Sequence, residues 1–268
     1  MTNILEKIIE AKKETLIELK KRYSTSSILE SIKLNFNLNL NFLQKIKKNN
    51  DEQRISVIAE IKKSSPSAGL IIKEYDPISI AKNYINNGAT CLSVLTEEKF
   101  FLGNLQHMNN IKNKFKIPIL CKDFFIDPYQ IPLAKSFGAD AVLIILACTD
   151  NALSKDLYQA ANELNTSVIV EVHTREEAEK AINYEKAIIG INNRNLKSLK
   201  TDISTTLELS RIVASHQNPI ISESGFNSSK DVKEIVKKTG IKNFLIGESL
   251  LKNIGGSSLL KEIAKISL

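Results

Sequence analysis

The chain has 268 residues, 43% of them hydrophobic and 25% charged, which suits a soluble globular protein with one large core and does not force a split into domains. Its net charge of +7 comes from lysines spread along the whole length, so it favours anionic metabolites and argues against a nucleic-acid partner. No apolar run approaches the ~20 residues of a membrane span, no leader-like block opens the chain, and neither cysteines nor histidines show metal-ligand spacing, so the expectation is a cytoplasmic protein with no membrane partner and no metal.

The first stretch, ILEKIIEAKKETLIELKKR, has helical apolar spacing and predicts an amphipathic helix. The next, LNFNLNLNFLQKI, alternates Leu or Phe with Asn at period two, which fits a strand and a repetitive connector equally. Residues 1–52 are together expected to form an N-terminal extension packed on the remainder of the chain. Then come short runs rich in Ile, Val and Leu: SVIAEI (56–61), TCLSVLT (90–96), IPILCK (117–122), DAVLIIL (140–146), SVIVEV (167–172), AIIGIN (187–192), NPIISE (218–223) and NFLIGE (243–248). Such runs fit parallel strands buried on both faces. Helical stretches lie between them. Asp76 and Asp127 each precede a proline, as an N-cap precedes Pro at the first helical position, and Gly88, Gly138 and Gly240 fall where helices stop. SSLLKEIAKISL supplies a last helix. Eight such units predict a (β/α)8 TIM barrel, an α/β fold, as a single domain over residues 1–268, in preference to an open doubly wound sheet.

The first strand carries Glu60 and Lys62, two residues apart and therefore on one face. On an edge strand the pair would be solvated and contribute little. A closed barrel has no edge, and its active site lies at the C-terminal ends of the strands. That rule gathers Glu60, Lys62, Lys122, Glu171, Asn192, Arg194, Glu223 and Ser224 at one rim. Taken alone, Lys122 could mark a strand's exit to solvent and Asn192 a turn; their shared end of the barrel favours a site. Glycines in SESGF and IGESLLKN place backbone N–H groups where they can approach an anion, and Ser64, Ser65 and Ser67 could donate as well.

Taken together, AEIKKSSPSAG, TEEKFF, LCKDFFIDPYQI, VEVHT, IGINNRNL, SESGF and FLIGESLL resemble the indole-3-glycerol phosphate synthase family, in order, over roughly Arg54 to Leu251. The resemblance implies a (β/α)8 barrel with an N-terminal extension, and a carboxy-lyase of tryptophan biosynthesis that uses no metal or organic cofactor. It implies a small-molecule phosphosugar substrate, 1-(2-carboxyphenylamino)-1-deoxyribulose 5-phosphate, which is ring-closed, decarboxylated and dehydrated to indole-3-glycerol phosphate. Carried onto this sequence, it implies catalytic roles for Glu60, Lys62, Lys122, Glu171, Asn192 and Ser224, with Lys122 protonating the substrate carbonyl. Ser65, Arg194, Glu223, Gly225, Gly247 and Glu248 would bind or support the substrate and its phosphate, Glu248 through its backbone N–H alone. Pro66, Phe101 and Phe124 would line the anthranilate side. A monomer or weak homo-oligomer is expected. Phosphoribosylanthranilate isomerase, of the same fold, would share the phosphate loops but need an Asp/Cys acid–base pair. A catalytically silent phosphate-binding scaffold would give Lys122 and Glu171 no reason to occupy strand ends.

Overall fold

The computed structural model describes residues 3–34, 40–252 and 258–266. Its strands β1 (Ser56–Ile61), β2 (Cys91–Leu95), β3 (Ile119–Lys122), β4 (Ala141–Ile145), β5 (Ser167–Val172), β6 (Ile188–Asn192), β7 (Ile220–Glu223) and β8 (Asn243–Ile246) are all parallel and form one closed barrel. Each pairs with its neighbours in sequence, and β8 returns to β1 with Ile58 opposite Leu245. The protein is a (β/α)8 TIM barrel.

Alternation along the strands separates two cores. Ile58, Cys91, Leu120, Leu143, Ile169, Ile188, Ile221 and Leu245 fill the barrel, whereas Val57, Ala59, Leu92, Val94, Cys121, Val170, Ile189 and Phe244 face the surrounding helices. Both sets are apolar, which is why the strands read as continuous runs rather than alternating ones. The same period of two puts Glu60 on the inner parity with Ile58, Lys122 with Leu120, Glu171 with Ile169 and Glu223 with Ile221.

Three helices precede the barrel: α1 (Ile4–Arg22), α2 (Thr25–Leu34) and α3 (Phe42–Asp51). Fully buried Phe42 and Ile46 of α3 join the barrel's inner core, and the Leu43 N–H donates to Ser167 Oγ at the start of β5 (3.3 Å). Thus α3 closes the N-terminal end. At the other end α1 contributes Leu5 and Ile8 to the same core. Its Lys12 pairs with Asp123 after β3 (2.7 Å), and the Tyr129 hydroxyl lies within hydrogen-bond distance of the Leu19 carbonyl in its last turn (3.0 Å) and of the carbonyl of Tyr23, which caps it (2.7 Å). The extension therefore reaches both ends of the barrel. Of the alternating 34–46 segment, 42–46 are helical and 35–39 lie outside the described residues.

The outer helices are α4 (Pro77–Asn86), α5 (Leu105–Lys114), α6 (Gln130–Ser136), α7 (Asn151–Glu163), α8 (Arg175–Ala181), α9 (Ser204–Ile212), α10 (Ser229–Thr239), α11 (Glu248–Lys252) and α12 (Ser258–Ala264). Asp76 caps α4 as expected, its side chain accepting from the Ile78 N–H (3.0 Å). Asp127 makes the same kind of bond, its Oδ1 accepting from the Tyr129 N–H (2.9 Å), and the Gln130 side chain turns back to accept the Ile126 and Asp127 N–H groups; the regular helix α6 begins only at Gln130, after a turn over Pro128 and Tyr129. The glycine expectation holds as well: Gly240 caps α10 at φ 74°, in the left-handed region that only glycine enters without cost. The last strand stops at Ile246, so Glu248 belongs to α11 rather than to β8.

Candidate active site

The fifteen residues to which the resemblance gives a role all line one cavity of about 580 Å³ at the C-terminal mouth of the barrel; Ser67 joins them, whereas Ser64 lies outside the lining. Lys122 stands at its centre. Its Nζ lies 2.7 Å from Glu171 Oε2 and 2.6 Å from Glu223 Oε2. Because β3 and β7 lie half-way round the closed barrel from each other, the Lys122–Glu223 pair spans the mouth. Burying an unpaired cation would cost several kcal/mol, and the two carboxylates offset that cost. Burial opposes the Lys122 charge, but Glu171 and Glu223 outweigh it and raise its pKa well above the usual lysine range.

A second pair stands on β1, where Lys62 Nζ lies 2.6 Å from Glu60 Oε1. Burial again works against the Glu60 carboxylate, yet Lys62 and Lys122 hold its pKa below the ordinary value. The two carboxylates on Lys122 diverge. Glu171 is pulled down by Lys122 and His173 against its burial, whereas burial and the neighbouring Glu171 push Glu223 up to about 7 despite Lys122. Paired titrating groups with separated affinities mark a site for proton transfer.

Space for these carboxylates is made by glycine. A Cβ on Gly190 would come within 2.2 Å of Glu223 Oε1, and one on Gly247 within 2.4 Å of Glu60 Oε1. Gly247, read in the sequence as a phosphate contact, thus also clears room inside the barrel.

The rim is held by cross-strand hydrogen bonds. Asn192 Nδ2 donates to Glu171 Oε1 (3.0 Å), while its Oδ1 accepts from Ser224 Oγ (2.9 Å) and the Arg194 N–H (3.0 Å). Ser224 and Gly225 both have left-handed backbones, φ 68° and 90°, and the Ser224 carbonyl is tied down by Asn193 Nδ2 (3.0 Å). A non-glycine residue holds that conformation only where its surroundings impose it. Arg194 spans the mouth, donating from Nη1 to Ser67 Oγ and lying 3.3 Å from Glu248 Oε2. Glu248 is also paired with Lys252 (2.7 Å), so its carboxylate is engaged by two cations.

Phe101 and Phe124 bring an apolar wall to the lining. Phe101 and Phe124 are 6.1 Å apart between ring centroids, with Pro66, Leu143 and Ile145 also in the lining. Two contributions to this wall escaped the sequence. Glu97, which is buried, accepts the N–H groups of Lys99, Phe100 and Phe101 and so fixes the Phe101 loop. Ile4, Leu5 and Ile8 of α1 line the cavity as well; the apolar stripe of that helix indicated burial but not against which surface. Among the described residues, Cys91, Cys121 and Cys148 all stay outside this lining, which leaves an isomerase-like Asp/Cys pair without its thiol.

A closed parallel barrel with a lysine–carboxylate cluster at its C-terminal mouth defines an acid–base enzyme of the (β/α)8 class. The family model for indole-3-glycerol phosphate synthase matches residues 5–263, and the chain belongs to that family of carboxy-lyases. An indole-3-glycerol phosphate synthase from Legionella pneumophila (strain Paris) is 48% identical over 202 residues, 75% of this chain and 78% of its own. One from Burkholderia lata is 37% identical over 254 residues, covering 94% and 95% respectively. Among solved structures, the tryptophan synthase alpha subunit of Legionella pneumophila str. Paris superposes with a TM-score of 0.61 at 12% identity, over 84% of this chain and 98% of that one. That likeness concerns the fold.

Proposed function

We propose that the protein converts 1-(2-carboxyphenylamino)-1-deoxyribulose 5-phosphate to indole-3-glycerol phosphate, CO₂ and water. The observation that carries this reading is Lys122 held between Glu171 and Glu223 in a cavity lined by aromatic and aliphatic side chains as well as by charged ones. In the reaction, a bond forms between the carboxylate-bearing ring carbon and the ketone carbon. The carboxyl group then leaves as CO₂, and the new hydroxyl leaves as water.

Each step finds its group. The Lys122 ammonium donates to the ketone oxygen as the ring closes, because charge develops there and a fixed cation in a water-poor site stabilises it strongly. Phe101, Phe124 and Pro66 take the anthranilate ring and remove water from its carboxylate, which favours loss of CO₂. Glu171 accepts the proton released on dehydration, and Lys62, paired with Glu60, delivers one to the departing hydroxyl. Ser65, Gly225, Gly247 and the Glu248 N–H form the phosphate side, with Arg194 and Ser224 placing the substrate between the two sides.

The test is direct. Purified protein given the authentic substrate should release CO₂ and develop indole fluorescence against a background free of tryptophan, since the chain contains none. Substrate that stays unconverted at neutral pH would refute the reading, and tight binding of sugar phosphates without turnover would favour the silent scaffold.

A further inference from the structure

Behind Glu171, outside the cavity lining, the end of β5 and the first turn of α8 hold a second row of charges. The His173 side chain is 7% exposed, and its ring lies between two carboxylates: Nε2 is 3.2 Å from Glu171 Oε1 and Nδ1 is 3.4 Å from Glu177 Oε2. Neither contact is aligned as a formal hydrogen bond, and neither ring nitrogen has another partner among the described residues. A neutral imidazole has one N–H and one lone pair, so it would turn a lone pair toward a carboxylate. The imidazolium has two N–H groups for two acceptors. Among the described residues no group of three or more His, Cys, Asp or Glu side chains is disposed to hold a metal ion.

The oxygens of the two carboxylates on Lys122 differ in the same sense. Glu171 uses Oε2 for Lys122 and Oε1 for Asn192, with His173 beside it. Glu223 uses Oε2 for Lys122, but its buried Oε1 has no partner. A proton placed on the pair therefore displaces nothing on Glu223 Oε1 and disrupts an existing contact on Glu171.

We propose that His173 is a positioning residue: held as an imidazolium between Glu171 and Glu177, it keeps Glu171 ionised and aimed at the substrate, so that the proton shared beside Lys122 resides on Glu223. Burial works against the His173 charge, and the two carboxylates outweigh it and push its pKa up to about 9. The titratable groups set against this row are Glu171 on β5, Glu177 on α8, the Cys148 thiol from the turn after β4, and, beyond Glu171, Lys122 and Glu223. Cys148 is raised by burial and by both carboxylates and stays a neutral thiol, so it leaves the balance of charge to His173.

The inference rests on the function proposed above, and its test has one arm that needs no substrate. With ¹⁵N-labelled histidine, one of the three imidazoles in the free protein should stay doubly protonated at pH 7 and vanish from the spectrum in His173→Gln. In turnover, His173→Gln should move the acid limb of the kcat profile upward by about one pH unit or more, because Glu171 loses a cation that favours its ionised form. We expect kcat to fall about tenfold or more while KM changes much less, as for an interaction used in the transition state. Glu177→Gln keeps an acceptor for the His173 backbone N–H (2.7 Å) and lies outside the cavity, so it should give a smaller shift of the limb in the same direction. If His173→Gln does not fold, Glu177→Gln and the wild-type spectrum decide. A His173 ring with one bare nitrogen at pH 7, or variant profiles that superpose on the wild type after scaling, would overturn the proposal. A doubly protonated ring in a protein that fails to turn over the substrate would refute the function and leave the charge arrangement standing.

Discussion

At the scale of residues, the site depends on two features of different visibility. Lys122 is the visible one. Its replacement by alanine leaves Glu171 and Glu223 facing each other without a cation, and we expect kcat to fall by about 10²–10⁴-fold with the barrel intact by circular dichroism. Turnover near the wild-type rate would reduce Lys122 to a structural counter-ion. Gly190 is the less visible feature, since a glycine inside the run AIIGIN carries no chemistry of its own. Its added Cβ would meet Glu223 Oε1 at 2.2 Å, so Gly190→Ala must shift or rotate that carboxylate, whose other oxygen is held by Lys122. The expected result is a kcat loss of about tenfold or more with KM little changed, measured by indole fluorescence. Unaltered kinetics would show that Glu223 has room to move without consequence. The positions of the charged residues were legible because strand parity and the end-of-strand rule converge on them. The need for Gly190 was not, because it depends on a contact between β6 and β7 that no local pattern encodes.

At the scale of elements, α1 turns an open mouth into a half-covered cavity. Lys12 Nζ lies 2.7 Å from Asp123 Oδ1 with both side chains buried, and Asp123 Oδ2 accepts the Thr96 hydroxyl (2.7 Å). This contact joins the extension to β3 one residue beyond Lys122. Lys12→Met keeps the length of the side chain and removes the charge, leaving Asp123 buried with neutral partners only. Breaking one side of such a pair costs about 3–5 kcal/mol, and we expect most of that in a urea titration, with weaker substrate binding because Leu5 and Ile8 line the cavity. A loss below about 1 kcal/mol, the level of an exposed pair, would mean that the apolar face of α1 holds it without the ion pair. The helix itself was legible over 4–22 from its apolar spacing and its basic last turn. Its partner was not: lysine at position 12 reads as one more solvated lysine among many, and only the fold brings Asp123 to it. At Asp127 the local rule holds for the side chain, whose Oδ1 accepts the Tyr129 N–H; what the Asp-Pro pattern did not show is that Gln130 reaches back to the Ile126 and Asp127 N–H groups.

At the scale of the whole molecule, the charged floor of the barrel links stability to pH in opposite senses on its two sides. Glu60 and Glu171 have lowered pKa values, so their contribution is fully present above the ordinary carboxylate range and is lost as the pH falls through the folded values. His173 is raised from 6.5 to about 9, so its contribution is fully present below pH 6.5 and is lost as the pH rises through 9. Glu223 is raised from 4.5 to about 7, and the native state therefore also gives up stability as the pH rises across that interval. Stability should accordingly be greatest at mildly acidic pH, between the acid loss through Glu60 and Glu171 and the later loss through Glu223 and His173. At about 1.4 kcal/mol per pH unit of displacement, His173 alone accounts for at most about 3 kcal/mol between pH 6.5 and 9. Over that interval the net charge of +7 declines, which relieves self-repulsion and opposes the trend, so the wild-type curve by itself does not isolate His173. The comparison that does is urea unfolding of the wild type and His173→Gln at a series of pH values from 6 to 9. The variant should start less stable at pH 6 and converge on the wild type by pH 9, because the imidazolium is the form that the folded state favours. Two curves that run parallel across the interval would show that His173 exchanges no proton on folding, and that the charges of Glu171 and Glu177 are balanced elsewhere.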